Sequence, residues 1–133
     1  MIGRLHHVIL DCPDPAALAD FYSELLGLPV TYRSEDFVVV AGNDAASGIA
    51  FQLAPDHQPP RWPDPAYPQQ IHFDVMVDDK QQAAREVIEL GARRLDGGED
   101  VYADPAGHPF CLISRPSWAA PIHAGEDRAS ASP

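Results

Sequence analysis

The sequence predicts an α+β fold of two tandem modules, each with one strand, one helix and three further strands. This order of strand and helix patterns occurs twice along the 133 residues. The spacing also repeats, since His7 lies twenty residues before Gly27 and His72 lies nineteen residues before Gly91. Between the copies lies a connector, residues 55–69, in which six of fifteen residues are proline. A repeat of this length indicates two copies of one structural unit.

The first module, residues 4–54, opens with the apolar run Val8–Leu10, which has the length of a strand. Asp14 is suited to cap the following helix, and Gly27 is suited to end it. Apolar residues recur at helical spacing between these two positions, which predicts a helix packed against a sheet. The stretches PVTYRS, DFVVVAG and GIAFQLA then predict three short strands.

The second module, residues 70–114, repeats this order with the strand IHFDVMV, the helix DDKQQAAREVIELGA and the strands RRL, EDVYAD and FCLISR. The connector is expected to be neither helix nor central strand, because proline lacks the backbone donor that both require. Residues 1–115 are therefore expected to form a single domain. A flexible tail follows at 116–133, and Trp118 is a candidate to hold its first part onto the domain.

Composition and charge exclude several classes of function. The formal net charge of −11 argues against a nucleic-acid partner and against an anionic membrane surface, since both would be repelled. The two cysteines, Cys12 and Cys111, form no CxxC pair and no secreted disulfide framework. The first residues, MIGRLHH, lack the apolar core of a signal peptide. A soluble cytoplasmic protein is the expectation.

Strand alternation predicts which polar side chains share a surface. Side chains alternate between the two faces of a strand, and the apolar set of each strand is expected to face the helices. The opposite face, called here the helix-opposite face, then carries His7, Gln52, His72 and Cys111. Asp74 shares this face with His72, but the two side-chain tips are expected to be spread along the strand. That spread favours a role for Asp74 in a pocket wall rather than on the same ion.

Three motifs resemble the vicinal oxygen chelate superfamily, which includes glyoxalase I and the bleomycin-resistance proteins. They are HHVILDCPDPAALADFYSELLGL, IHFDVMVDD with the later ELGA, and YADPAGHPFCL with its DP-x-G turn. The likeness covers about residues 4–114, and the RWPDP…QQIHFDV segment is similar to the glyoxalase-like subgroup. The resemblance implies two βαβββ modules whose sheets curl around a central cavity. It also implies a homodimer.

The resemblance also implies a set of metal-ligand positions. Metal-binding members take one ligand from the first strand and one from the last strand of each module. By position these are His7, Gln52, His72 and Cys111. The family most often has Glu at the last position, where this chain has Cys111, seven residues after Asp104. The missing carboxylate counts against metal-dependent lyase or glyoxalase chemistry.

The histidine pair leaves two alternatives open. His7 and His72 bind one divalent metal, Zn, Ni, Fe or Mn, with help from Gln52 or Cys111. Otherwise both histidines line a polar pocket without a metal. For Cys111, a small packed side chain is expected rather than a nucleophile.

The remaining aromatic and imidazole side chains have simpler interpretations. Trp62 and Tyr67 lie on the stiff connector, where they form a wall or lid for a planar ligand, or cover the edge of the core or a dimer contact. His108 is expected on a turn, partly exposed and within reach of the pocket mouth. His57 and His123 are expected to be solvated.

The leading function is binding of a small organic molecule in the cavity without a catalytic metal, as in drug-binding members of the superfamily. The alternative is a divalent-metal-dependent lyase, isomerase or dioxygenase, in which His7 and His72 hold an ion that chelates substrate oxygens. A third alternative is an inert structural or regulatory dimer. No catalytic residue is assigned. The expected ligand-binding residues are His7, Gln52, Trp62, His72, Asp74 and Cys111.

Overall fold

A computed structural model describes residues 1–123 of the chain. Within them the predicted order of elements is confirmed: strand, helix and three strands, twice. The first module contains β1 (His7–Cys12), α1 (Pro15–Leu26), β2 (Val30–Arg33), β3 (Phe37–Val40) and β4 (Gly48–Leu53). The second contains β5 (Phe73–Met76), α2 (Lys80–Leu90), β6 (Arg93–Arg94), β7 (Val101–Ala103) and β8 (Pro109–Ile113).

Each module forms its own four-stranded mixed sheet, with the same topology in both. The strand orders are β1-β4-β3-β2 and β5-β8-β7-β6. In each sheet the first and last strands of the module pair in parallel, and the remaining pairs are antiparallel. The helix between strands provides the crossover that a parallel pair requires. Curling of the sheets around one shared cavity remains a prediction.

Helix α1 begins and ends where the sequence places it. The Asp14 side chain accepts a hydrogen bond from the Ala17 amide at 3.1 Å, which satisfies a donor in the first turn. Gly27 follows the last turn with φ of 66°, a left-handed conformation that favours glycine. Leu18, Phe21 and Tyr22 are buried on one side of the helix.

Helix α2 uses the same devices. Asp79 accepts hydrogen bonds from the amides of Gln81 and Gln82, and Gly91 ends the helix with φ of 115°. Val87 is buried, whereas Ile88 is exposed. The helix therefore contacts the core along a narrower stripe than α1.

One hydrophobic core contains residues from both helices and both sheets. Phe51 and Phe110 lie on the helix-facing sides of the two sheets, and neither is exposed to solvent. Tyr22 of α1 stacks on Phe51 with ring centroids 5.4 Å apart and meets Phe73 of β5 edge-on at 6.0 Å. The first module therefore packs against the second through this helix.

The connector contains turns and, as predicted, neither helix nor strand. The tail prediction for 116–133 is tested only in part, because residues 124–133 lie outside the described residues. Trp118 is 86 % exposed, so the prediction that it holds the tail onto the domain is wrong. Trp118 lies in a turn closed by a hydrogen bond from the Ala119 amide to the Pro116 oxygen, and this turn leaves the ring in solvent. Among residues 1–123, neither helix has the length and apolar character needed to cross a membrane.

Candidate functional site

A cavity of about 430 Å³ lies at the junction of the two modules and is called here the junction cavity. The end of β1, the start of β5 and the connector form its walls. The connector supplies prolines, which give rigid apolar surface because their rings restrict the backbone. The imidazoles in the lining are those of His57, His72 and His108. A concave apolar site with a few polar groups is typical of small-molecule binding.

His108 is fixed in the cavity wall by two acceptors. Its Nδ1 lies 2.8 Å from Asp104 Oδ2, and its Nε2 lies 2.9 Å from the backbone oxygen of Asp11. Each ring nitrogen lies within hydrogen-bond distance of a protein acceptor, which holds the ring in one orientation. The first module supplies one acceptor and the second module the other. His108 therefore joins the modules at the cavity as well as lining it.

Asp104 is the buried carboxylate that organises this wall. Its Oδ1 accepts hydrogen bonds from the backbone amides of Ala106 and His108 at 2.8 and 3.0 Å. Its Oδ2 accepts from the Tyr22 hydroxyl at 2.7 Å. Burial, together with the negative charge of Asp104, raises the pKa of Tyr22, so this hydroxyl keeps its proton. A buried carboxylate needs this number of donors to offset its loss of hydration.

His57 was expected to be solvated, and that prediction is wrong. Its ring lies 5.0 Å from that of His108, and its Nε2 lies 3.1 Å from the backbone oxygen of Ala106. The connector turns back onto the DP-x-G turn of the second module, and this return brings His57 to the cavity. Sequence alone gave no signal for it, because the direction of a proline-rich segment depends on distant contacts.

The two connector aromatics occupy different surroundings. Tyr67 lines the junction cavity, and the Arg61 guanidinium lies 4.2 Å from the centre of its ring. Trp62 packs instead against the second sheet, in a cluster with Val101 and Cys111. Tyr67 is therefore the aromatic wall of the junction cavity, and Trp62 covers part of the second sheet.

Trp62 also borders a smaller cavity of about 100 Å³ inside the connector, together with Gln69. Within residues 1–123, the Trp62 Nε1 donor and the Gln69 Oε1 acceptor are buried without a hydrogen-bond partner. A donor and an acceptor beside one small cavity can both be satisfied by a single polar group placed between them.

His72, Asp74 and Cys111 form a close group at the edge of the junction cavity. One ligand atom from each lies within 4.8 Å of the others, and His72 Nε2 lies 3.5 Å from Asp74 Oδ1. The prediction that the tips of His72 and Asp74 are spread along the strand is therefore wrong. His72 precedes the first residue of β5, so its side chain is free to lean toward Asp74.

Cys111 sits in surroundings that disfavour its thiolate. Burial raises the pKa of Cys111, and the nearby carboxylates of Asp74 and Asp100 raise it further. A nucleophilic cysteine needs the opposite shift. The expectation that Cys111 is a packed side chain agrees with its place in the cluster around Val101.

His7 and Gln52 lie on the first sheet, away from the junction cavity. His7 lines a separate groove of about 490 Å³ with Tyr32 and Phe37, called here the first-sheet groove. Gln52 is exposed on the same sheet. The structure thus brings His72, Asp74 and Cys111 together, but places His7 and His72 in different cavities of the chain.

His7 is also in the wrong tautomer for a metal ligand. Its Nδ1 accepts a hydrogen bond from the Gly48 amide at 3.1 Å, so the proton of the neutral ring is on Nε2. Burial, with the charges of His6 and Arg4, lowers the pKa of His7, which favours this neutral ring. A metal-binding imidazole instead donates a proton from its second nitrogen. Of the four positions implied by the resemblance, His72 and Cys111 fit a metal best, and Asp74 adds a carboxylate.

Comparison with known proteins places this geometry in a family context. A family model described as a glyoxalase-like domain matches residues 7–113. No curated protein sequence matches the chain at a significant level.

Several solved structures share the fold at low sequence identity. A glyoxalase-related enzyme from Fulvimarina pelagi aligns over 90 % of this chain and 94 % of its own, with TM-score 0.65 and 17 % identity. A glyoxalase/bleomycin resistance protein/dioxygenase family enzyme from Burkholderia phytofirmans PsJN aligns over 83 % and 97 %, with TM-score 0.63 and 17 % identity. A bleomycin-binding protein solved with bleomycin aligns over 86 % and 99 %, with TM-score 0.50 and 18 % identity.

Proposed function

Because the chain belongs to the glyoxalase-like domain family, we propose that it binds a small organic molecule in the junction cavity. The cavity itself carries the proposal. Its volume of about 430 Å³ lies in the range of sites that enclose small ligands. The complex of a structural neighbour with bleomycin supports small-molecule binding as a function that this fold can perform.

The walls of the cavity suggest the shape of the ligand. Proline rings and Tyr67 give flat apolar surfaces, which suit a planar or aromatic group. His72 is 43 % exposed at its side chain and offers a hydrogen bond at the edge. His108 places an imidazole ring in the wall, held by Asp104 Oδ2 at 2.8 Å from its Nδ1. A planar molecule with one polar acceptor group fits this arrangement.

This binding needs no catalytic metal. Apolar surfaces form most of the cavity wall, and the partly exposed imidazole of His72 gives a polar contact at its edge, so an organic ligand can be recognised without an ion. The thiol nearest the cavity edge, Cys111, has a raised pKa that disfavours covalent catalysis. The proposal is therefore a binding protein of the drug-binding type rather than an enzyme.

A binding assay with matched tyrosine variants tests the proposal. The probes are 8-anilinonaphthalene-1-sulfonate, followed by its fluorescence, and bleomycin, followed by calorimetry, each measured without and with EDTA. We expect at least one probe to bind once per chain. Tyr67→Ala removes a wall of the junction cavity and should weaken binding at least about 10-fold. Tyr32→Ala is the control, because Tyr32 is 57 % exposed and lines the first-sheet groove.

Two results would contradict the proposal. Equal loss of binding in both tyrosine variants would place the ligand elsewhere or indicate general unfolding, which circular dichroism separates. Binding that vanishes when EDTA is added would make a metal part of the binding site.

The alternative of a metal-dependent lyase, isomerase or dioxygenase requires His7 and His72 on one ion. In a single chain these residues line different cavities, so this alternative requires a second copy that brings a first sheet to a second sheet. It also requires His7 to give up its hydrogen bond from Gly48.

We further propose that the protein forms a homodimer through the helix-opposite face of the first sheet. Ile9 and Tyr32 on this face are 49 % and 57 % exposed. A second copy would remove this apolar surface from water. Sedimentation equilibrium should show a dimer at micromolar concentration, and Tyr32→Glu, on this face and outside the junction cavity, should shift it to monomer. A monomer at all concentrations would contradict the dimer.

A further inference from the structure

We propose that His72, Asp74 and Cys111 form a divalent transition-metal site of the zinc type, built by the second sheet alone. This site is distinct from a cross-module site, because Asp74 takes part and His7 and Gln52 do not. It does not depend on the organic ligand of the junction cavity. Evidence against the proposed ligand binding would therefore not count against the metal site.

Strand pairing fixes two of the three ligands relative to each other. Asp74 in β5 and Cys111 in β8 are directly paired in a parallel ladder, so their side chains leave the same face of the sheet. His72 completes the group from the residue before β5, with Nε2 3.5 Å from Asp74 Oδ1. One ligand atom from each of the three residues lies within 4.8 Å of the others. The three donor atoms therefore form one group on this face of the second sheet.

The donor set selects a class of metal. An imidazole nitrogen, a carboxylate oxygen and a thiolate sulfur are the three kinds of ligand that zinc uses in proteins. The thiolate disfavours magnesium and calcium, which take oxygen ligands. Three protein ligands leave one tetrahedral position for water or another molecule. The site is therefore of the open kind.

The site is open to solvent, and the nearby cation Lys80 is paired with a carboxylate outside the site. The side chains of His72 and Asp74 are 43 % and 54 % exposed, whereas Cys111 is half-buried. Asp100, which lies near Cys111, is paired with Lys80 at 2.9 Å. The Lys80 charge is thus directed to Asp100, and Asp74 is left with His72 as its partner.

Cobalt(II) titration of the full-length, reduced protein tests the site. The protein is purified without chelator, assayed for zinc by elemental analysis, then stripped with EDTA and desalted. We expect one cobalt per chain, with a near-ultraviolet band from thiolate-to-cobalt charge transfer. The ion should also quench Trp62 emission, because Trp62 packs in the same cluster as Cys111. Neither readout depends on enzymatic activity.

Matched variants identify the ligands. Cys111→Ala should abolish the charge-transfer band, and Asp74→Asn should weaken cobalt binding at least about 10-fold. Cys12→Ala is the cysteine control, because Cys12 is buried on the helix-facing side and has no access to the ion. His7→Ala is the control for a cross-module site and should leave the affinity unchanged.

Three results would overturn the inference. The first is that no cobalt binds to the reduced wild-type protein. The second is that His7→Ala loses the ion as Cys111→Ala does, which would place the site between modules or between copies. The third is an unchanged cobalt affinity in Asp74→Asn. The fold of this variant, which changes an exposed residue, is checked by circular dichroism. Failure of the organic probes to bind would not affect any of these readouts.

Discussion

The Tyr22 hydroxyl donates a hydrogen bond to Asp104 Oδ2 across the two modules, at 2.7 Å and fully buried. Tyr22 belongs to α1 of the first module, and Asp104 belongs to the DP-x-G turn of the second. The same carboxylate contacts His108, whose other ring nitrogen reaches the backbone oxygen of Asp11 in β1. This chain of hydrogen bonds joins the modules beside the junction cavity.

Replacement of Tyr22 by Phe should destabilise the protein. The variant keeps the aromatic contacts but leaves one buried oxygen of Asp104 without this donor. Hydrogen bonds to charged groups contribute about 1.5–3 kcal/mol, so we expect the free energy of unfolding to fall by that amount. Urea denaturation followed by circular dichroism measures it.

Tyr102→Phe is the matched control for this prediction. Tyr102 is also buried, but its hydroxyl has a distant partner, Arg94 at 3.5 Å. Its loss should cost less than about 1 kcal/mol. An equal loss of unfolding free energy in the two variants would contradict a larger contribution from the hydrogen bond between Tyr22 and Asp104.

Gly107 holds the connector against the DP-x-G turn. Its φ is 96°, and an added Cβ would lie 2.6 Å from Cβ of Pro59 in the cavity wall. Gly107→Ala should therefore combine backbone strain with a steric clash. We expect the variant to lose roughly 2–4 kcal/mol of stability and to weaken probe binding in the junction cavity.

Gly27→Ala separates the two causes. Gly27 also has a positive φ, 66°, but an added Cβ would meet nothing within 4 Å. Its cost should be about 1 kcal/mol, from backbone strain alone, with probe binding unchanged. If Gly107→Ala costs no more than Gly27→Ala, the contact between Gly107 and Pro59 does not shape the cavity.

The raised pKa of Cys12 predicts a fall in the stability of the protein at alkaline pH. Burial raises its pKa from 9.0 to about 11, and its thiol donates to the backbone oxygen of Gln52. Between these values the unfolded chain loses the thiol proton while the folded chain keeps it. The folded state then binds more protons, so stability falls as pH rises through this window. The stabilisation by the buried neutral thiol is fully present below pH 9.0. By about pH 11 the free energy of unfolding has fallen by about 2 kcal/mol.

Urea denaturation at about pH 8 and about pH 11 compares the wild type with Cys12→Ala. The variant should lose less stability than the wild type over this interval, because it has no thiol to ionise at this position. Identical losses would show that other groups cause the alkaline destabilisation.

The fold could be predicted from the sequence because its signals are local. Asp14 and Gly27 mark the two ends of α1 in the sequence, and the structure shows Asp79 and Gly91 in the same places at α2. The apolar set of the strands faces the helices as strand alternation predicts, with Phe51 and Phe110 among the buried residues. Each of these assignments depends on residues within one element or its nearest neighbours.

The site was harder to predict because it depends on contacts between distant segments. Strand alternation identified His72, Asp74 and Cys111 on one face, but could not show that a residue before β5 leans toward Asp74. Nor could it show that the connector brings His57 back to the second module. The tautomer of His7 depends on the Gly48 amide, which belongs to a strand forty-one residues away.

The most direct test of the proposed function is amide chemical-shift mapping by NMR with a probe that binds. Binding in the junction cavity predicts shifts concentrated at His57, Gln69, His72 and Phe73, which line it. Shifts concentrated instead at His7, Tyr32 and Val39, which line the first-sheet groove, would contradict it. That second result would place the ligand on the open face of the first sheet.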